Sequence, residues 1–231
     1  MEKDVNLPEY KINLERIKDD YKLYSECDLL HKYFWEQISL IKSTMFQQLV
    51  IDFIDHKIPR FEFEKPTSST GKYHPTYQNG FLGNARHTKN VVKVLQVFER
   101  AYPDMMWDSM YAAAILHDST KYETESSSYT DSKHALTSAE HFKSFSKSWI
   151  KNLKKSRIVK TDFGLLRKYS KMTYKCIKWH DGRFNPLNAT KDQIKENFTK
   201  KFYRNVKDAE CHLVHLADMI SASKCLSEDV F

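Results

Sequence analysis

Glycine and proline are both scarce, with 5 and 6 copies in 231 residues. So few turn formers argue against a sandwich of many short strands and favour long helices joined by few tight turns. No uninterrupted apolar run approaches the roughly 20 residues that a helix needs to cross a bilayer. The longest greasy stretches, such as Tyr111 to Leu116, have the length of core segments, so no membrane partner is expected. The opening MEKDVNLPEYKINLERIKDD is charged throughout and lacks the apolar stretch of a secretory signal, which predicts a cytoplasmic location. Cysteine is limited to Cys27, Cys176, Cys211 and Cys225, without a C-x-x-C pair. A chain of this size folds without covalent staples, so reduced thiols are expected rather than a disulfide framework. Internal repeats and low-complexity segments are absent as well.

What is present is an ordinary supply of core material. Hydrophobic residues make up 41% and aromatics 13%, which excludes a disordered chain. The length makes one structural unit the simplest expectation. Net charge is +7, with lysine concentrated in KNLKKSRIVK from Lys151 and in KDQIKENFTKK from Lys191. Such runs are first of all solvated helix faces, yet the summed field raises the local concentration of anionic, phosphate-bearing ligands.

Apolar periodicity predicts an all-α fold. Helices are expected over Leu29 to Leu40 and over Thr44 to His56, where Phe46, Leu49, Val50, Phe53 and Ile54 form one stripe. A loop marked by Pro66, Gly71, Pro75 and Gly80 should run from Pro59 to Asn84, and loops of that length tend to be functional. Further helices are expected over Asn84 to Ala101, Trp107 to Leu116, Ser132 to Leu153, Leu165 to Trp179 and Lys207 to Leu226. Residues 1–58 then form a helical extension packed on a main unit of residues 59–231.

Several polar residues fall where these helices should be greasy. His87 heads an apolar face, His117 and Asp118 close the strongly apolar AAAILHD, and Asp218 lies among Cys211, Val214 and Ala222. A buried carboxylate needs a partner charge or a metal. Two imidazoles and two carboxylates from separate helices suit a divalent ion. The alternative is a buried hydrogen-bonded network without metal.

The wording around these residues resembles the HD superfamily, whose signature is H…HD…D. NGFLGNARHTKNVV is similar to the family's GGLLEHT stretch, ILHDSTKY to its LLHDIGK, and HLADMISAS to its terminal HxADxLxA. HALTSAEHF and KWHDGRF resemble the HPxxGAEIL and HHG segments of binuclear members, with Ser138 in place of a glycine and Asp181 in place of the second histidine. The resemblance covers roughly Pro59 to Lys224. It is nearest in KPTSSTGKYH and HPTYQNGFL to the HD domain of bacterial 3′-end exoribonucleases, whose OB-fold is not visible in the first 58 residues.

The resemblance implies an HD-domain helical bundle with additional N-terminal helices, acting as a metal-dependent phosphohydrolase on a nucleotide or short oligonucleotide through metal-activated hydroxide. It implies two divalent ions, with manganese, zinc, cobalt, nickel and iron not distinguished. His87, His117 and Asp218 would hold one, His134 and His180 the other, and Asp118 would bridge them. Lys121 of HDSTK and Arg183 would meet phosphoryl oxygens, and His74 and Tyr77 of the long loop would contact substrate, with Tyr73, Tyr77 and Phe81 able either to stack on a base or to pack the loop onto the domain. Arg86 and Lys89 are expected in solvent or on a basic rim. The same donors also serve di-iron HD-type oxygenases, and a non-catalytic nucleotide-binding protein is a third reading.

Overall fold

The computed structural model describes residues 14–70, 74–156, 161–182 and 207–223. Among them no strand forms. The helices are α1 (Leu14–Glu26), α2 (Leu30–Tyr33), α3 (Trp35–Ile38), α4 (Thr44–Lys57) and α5 (Phe61–Glu64). After a 3-10 turn (Thr76–Gln78) come α6 (Gly83–Ala101), α7 (Trp107–Leu116), α8 (His134–Ser156), α9 (Phe163–Trp179) and α10 (Ala209–Ser221). The protein is thus an all-α bundle. None of the described helices is long and apolar enough to cross a membrane.

The bundle is built around α7. All ten of its residues are buried, as expected of a helix apolar on every side. It is surrounded by α6, α9, α10 and the N-terminal α3 and α4. The expected α4 stripe faces inward, with Phe53 edge-on to Phe142 of α8 at 5.4 Å and Phe46 5.3 Å from Tyr169 of α9. Asp108, a buried charge near the start of α7, accepts the backbone N–H groups of Lys42 and Ser43, each at 2.9 Å. It thereby satisfies donors at the entrance of α4 that would otherwise lack a partner.

Two expectations change. The single helix expected over Leu29 to Leu40 is divided at Phe34, whose φ of −99° and ψ of 15° leave the helical region. The break turns Tyr33 towards α1, where its hydroxyl donates to Asp20 at 2.6 Å, and sends Phe34 against Phe63 at 4.6 Å. The last helix ends at Ser221 rather than Leu226. The long loop is also less open than its composition suggests. It contains α5 and the 3-10 turn, and its backbone is stitched by Leu82 N–H to Glu64 O (2.8 Å), Thr67 N–H to Gln78 O (3.0 Å) and Asn84 N–H to Lys65 O (2.9 Å).

The N-terminal helices share the core of the rest, since Tyr33, Phe34, Ile38 and Phe63 belong to one buried cluster with α7. Phe34→Ala should therefore destabilise the whole chain by about 3–5 kcal/mol. Urea unfolding should show one transition moved to lower denaturant; a separate early transition would mean that the N-terminal helices unfold on their own.

Candidate metal centre

Five segments converge on one buried point. His87 lies one turn into α6, His117 and Asp118 follow α7, His134 opens α8, His180 and Asp181 follow α9, and Asp218 lies on the last turn of α10. Local geometry fixes these placements. A Cβ at Gly83 would come within 2.0 Å of the Gln78 carbonyl oxygen, so only glycine lets α6 start against the 3-10 turn. Gly182 has a φ of +52°, and a Cβ there would lie 2.2 Å from the His215 ring. His215 Nδ1 in turn donates to the His180 carbonyl at 2.5 Å, holding the end of α9 on α10.

The donor atoms lie close together. His87 Nε2 is 2.8 Å from Asp218 Oδ1, and His117 Nε2 is 3.3 Å from Asp118 Oδ2 and 3.8 Å from Asp218 Oδ1. Asp118 Oδ1 is 3.1 Å from His134 Nε2 and 3.5 Å from His180 Nε2. Asp181 Oδ1 lies 3.6 Å from His134 Nε2 and 3.5 Å from His180 Nε2. Three donor sets capable of holding an ion result: His87, His117 and Asp218; His117, Asp118 and His180; and His134, His180 and Asp181. Ligands about 2.0–2.2 Å from a shared ion stand roughly 3–3.5 Å from one another, which is the spacing found.

The imidazoles are oriented as metal ligands are. His117, His134 and His180 each donate from Nδ1 to a carbonyl three residues back, of Ala114 (2.8 Å), Asp131 (2.7 Å) and Ile177 (2.7 Å). Such a bond fixes the ring and directs Nε2 to the centre. His117 Nε2, His134 Nε2 and Asp118 Oδ1 are buried without a hydrogen-bond partner. Orphaned polar atoms of this kind are costly unless something polar or charged lies beside them, and each belongs to a donor set that could hold a cation.

Electrostatics agree. Burial alone would raise the Asp118 pKa, but the neighbouring His117 and Lys121, with the close approach of the His117 and His134 imidazoles, hold it well below the carboxylate range. Asp218 behaves alike, with its His87 hydrogen bond outweighing burial. Burial would lower His180, yet Asp181 and Asp118 push it up to about 9, and the same carboxylates raise His134. The pocket therefore favours positive charge.

Of the other expected site residues, Lys121 is buried with its ammonium on Asp118 Oδ2. His74 donates from Nδ1 to Gln78 Oε1 at 3.0 Å and stands edge-on to His87 at 4.9 Å; burial, then His87, pushes its pKa down to about 3. Tyr77 is 8% exposed and its hydroxyl accepts from Asn90 Nδ2 at 2.5 Å, so its ring packs the loop instead of offering a stacking face. Arg183 and Tyr73 lie outside the described residues. Arg86 and Lys89 are not in solvent. Arg86 Nη1 donates to the carbonyls of Tyr77 (2.9 Å) and Phe81 (2.8 Å), and Lys89 pairs with Asp20 at 3.0 Å over the Tyr33 ring.

Asp181, which stands where the resembling motif has a histidine, faces both His134 and His180. Ser138, the other departure, has a hydroxyl that accepts the Thr120 N–H at 3.2 Å and pairs with the Thr120 hydroxyl at 2.8 Å, steadying the loop after Asp118. Asn84 Nδ2 bridges the carbonyls of Glu62 (3.0 Å) and Asp118 (3.3 Å). These supports carry no signal at short sequence range. Comparison of the chain with protein-family models, with curated proteins and with solved structures finds no match.

Two outcomes are expected. In chelator-treated protein, a divalent ion added at about 100 times its Kd should stabilise the fold by about 2.7 kcal/mol, read as a rise in melting temperature of roughly 5–10 °C. Asp118→Ala should abolish the rise; its absence in the wild type would leave a polar network without metal. Secondly, Glu62 is 2% exposed, and burial pushes its pKa up to about 8, from 4.5 when free. The unfolded chain loses this proton first, so stability falls as pH rises from about 4.5 to about 8 and levels above that. Glu62→Gln, unfolded in chelator at both ends of that range, should lose less stability than the wild type.

Proposed function

We propose that this chain is an HD-superfamily phosphohydrolase that cleaves a phosphate ester of a nucleotide or short nucleic acid with two divalent ions. The observation that carries the reading is the convergence of His87, His117, Asp118, His134, His180 and Asp218 at ligand spacing from five separate segments. A folded chain has no reason to bury so much titratable chemistry at one point unless something is held there.

On this reading His87, His117 and Asp218 would hold one ion, His134, His180 and Asp181 would hold the other, and Asp118 would be shared between them. Divalent ions in such a site lower the pKa of bound water towards neutrality and polarise phosphoryl oxygens. The protein's own residues do the rest. The Nδ1 bonds to backbone carbonyls keep the imidazoles aimed, and burial of Asp118 keeps bulk water from screening the charges. Lys121 brings a cation to Asp118, where it can meet charge growing on a phosphoryl oxygen. Asp181 supplies a third carboxylate, suited to hard or borderline ions such as manganese, zinc, cobalt, nickel or iron. The same donors would serve a di-iron oxygenase; the buried ammonium of Lys121 favours an anionic phosphoryl substrate.

The test is hydrolysis, read by chromatography of the products, of nucleoside monophosphates, nucleoside triphosphates, cyclic dinucleotides and short oligonucleotides, with manganese supplied. Wild type should turn over at least one class. Asp118→Ala and His180→Ala should lose on the order of 100-fold or more, and Lys121→Ala about 100-fold in kcat. Equal rates in wild type and Asp118→Ala would sink the proposal, and metal-dependent dioxygen uptake without hydrolysis of any of these substrates would favour the oxygenase.

A further inference from the structure

The charge of the chain is unevenly placed. Helices α8 and α9 together carry ten lysines and arginines against the single carboxylate of Glu140, a net +9, although the whole chain is only +7. The remainder is therefore slightly acidic. On α8, Lys143, Lys147, Lys151 and Lys155 recur every fourth residue and so share one face. On α9, Arg167, Lys171 and Lys175 do the same. Both rows line one groove of about 740 Å³ between the two helices, floored by Ile150, Ser170 and Tyr174, with no carboxylate among the described residues that line it.

Within the rows, Lys143 pairs with Glu140 at 2.8 Å and Lys175 with Asp208 at 2.7 Å. Among the described residues, Lys147, Lys151, Lys155, Arg167 and Lys171 make no ion pair. Aligned like charges on one helix repel, so rows this regular gain most from an anionic occupant. The helices run antiparallel and meet at the metal centre, where the His134 and His180 rings lie 5.3 Å apart. Counted along the axes, Lys175 stands about 8 Å from His180 and Lys143 about 14 Å from His134, and the α8 row then extends about 18 Å further, one cation every 6 Å or so.

We propose that this groove binds the phosphodiester backbone of a single-stranded nucleic acid and leads it to the metal centre. The binding stands on the groove alone; the delivery rests on the phosphohydrolase reading above. Regular cations flanking a concave track are how single strands are held without sequence preference, and Tyr174 offers a ring on the groove floor. A duplex is too wide for the space between helices whose axes pack about 8–10 Å apart, and a flat bilayer does not reach a concave floor.

The test is fluorescence anisotropy of the full chain in chelator, with labelled uridine and thymidine homopolymers about twenty nucleotides long. Both should bind, with log Kd rising against log salt with a slope of about 3 to 4, as for five phosphate contacts. Lys147→Glu/Lys151→Glu/Lys171→Glu should weaken binding at least tenfold and lower the slope by about 2. Lys22→Glu/Lys42→Glu/Lys57→Glu, with the same net charge and the groove intact, should stay within about twofold of wild type, and circular dichroism checks that both variants fold. Equal weakening by the two variants overturns the proposal, as does tighter binding of polyglutamate or of phosphatidylserine vesicles than of the oligonucleotides. Uridine alone binding narrows the strand to RNA and supports it. Binding without metal-dependent cleavage of these strands or of any nucleotide leaves the groove standing and removes the hydrolase reading; cleavage of nucleotides without strand binding does the reverse.

Discussion

The carboxylate of Asp118 is the constraint around which the rest is arranged. It is 1% exposed and sits at the end of a helix with no polar face to solvent, where an isolated charge would cost several kcal/mol. The fold answers from every side. His117 comes from the preceding residue, Lys121 from the next turn, His134 from the start of α8 and His180 from the end of α9. The compensation is incomplete in direct hydrogen bonds, since Asp118 Oδ1 has none, and that shortfall separates a site from a satisfied polar core.

Much of the remaining architecture keeps those partners in register. Asn84 ties the Asp118 carbonyl to α5, and the Ser138 hydroxyl ties Thr120 to α8. Gln78 links the 3-10 turn to the Ser221 carbonyl of α10 at 3.2 Å, while the Ser221 hydroxyl lies 3.1 Å from His87 Nδ1. These bonds span long stretches of chain, and all but the half-buried Ser138–Thr120 pair are buried, so they are strong locally and rigid. The N-terminal helices act at one remove: Phe34 packs on Phe63, and Phe63 follows Glu62, whose carbonyl Asn84 holds.

Helices with one apolar stripe were legible in the sequence. The α4 stripe and the apolar run of α7 need only periodicity, and both face the core as expected. Polar residues interrupting such runs gave His87, His117, Asp118 and Asp218, which the fold gathers. The break at Phe34 was not legible, because an unbroken helix and two short ones present the same local pattern until Phe63 is in place. Asp181 was hidden for a related reason: next to His180 it reads as a substitution, and only the approach of α8 shows that it faces His134. Arg86 and Lys89 read as solvent-facing until α1 and the folded loop supply Asp20 and the Tyr77 and Phe81 carbonyls.

Charge placement poses one further problem that the geometry resolves. Asp118, Asp181 and Asp218 make the interior of the centre acidic, and an acidic pocket repels a phosphate. Cations held among the carboxylates, with Lys121 beside them, would reverse that sign at contact distance. At longer range the sign is set by α8 and α9, whose net +9 exceeds that of the whole chain. Because both helices end at the centre, the field that attracts an anion and the pocket whose donors could hold an ion share one axis. An acidic interior and a basic approach are thus complementary: on the proposed reading the first would retain divalent ions, and the second would bring a polyanion close enough for those ions to act on it.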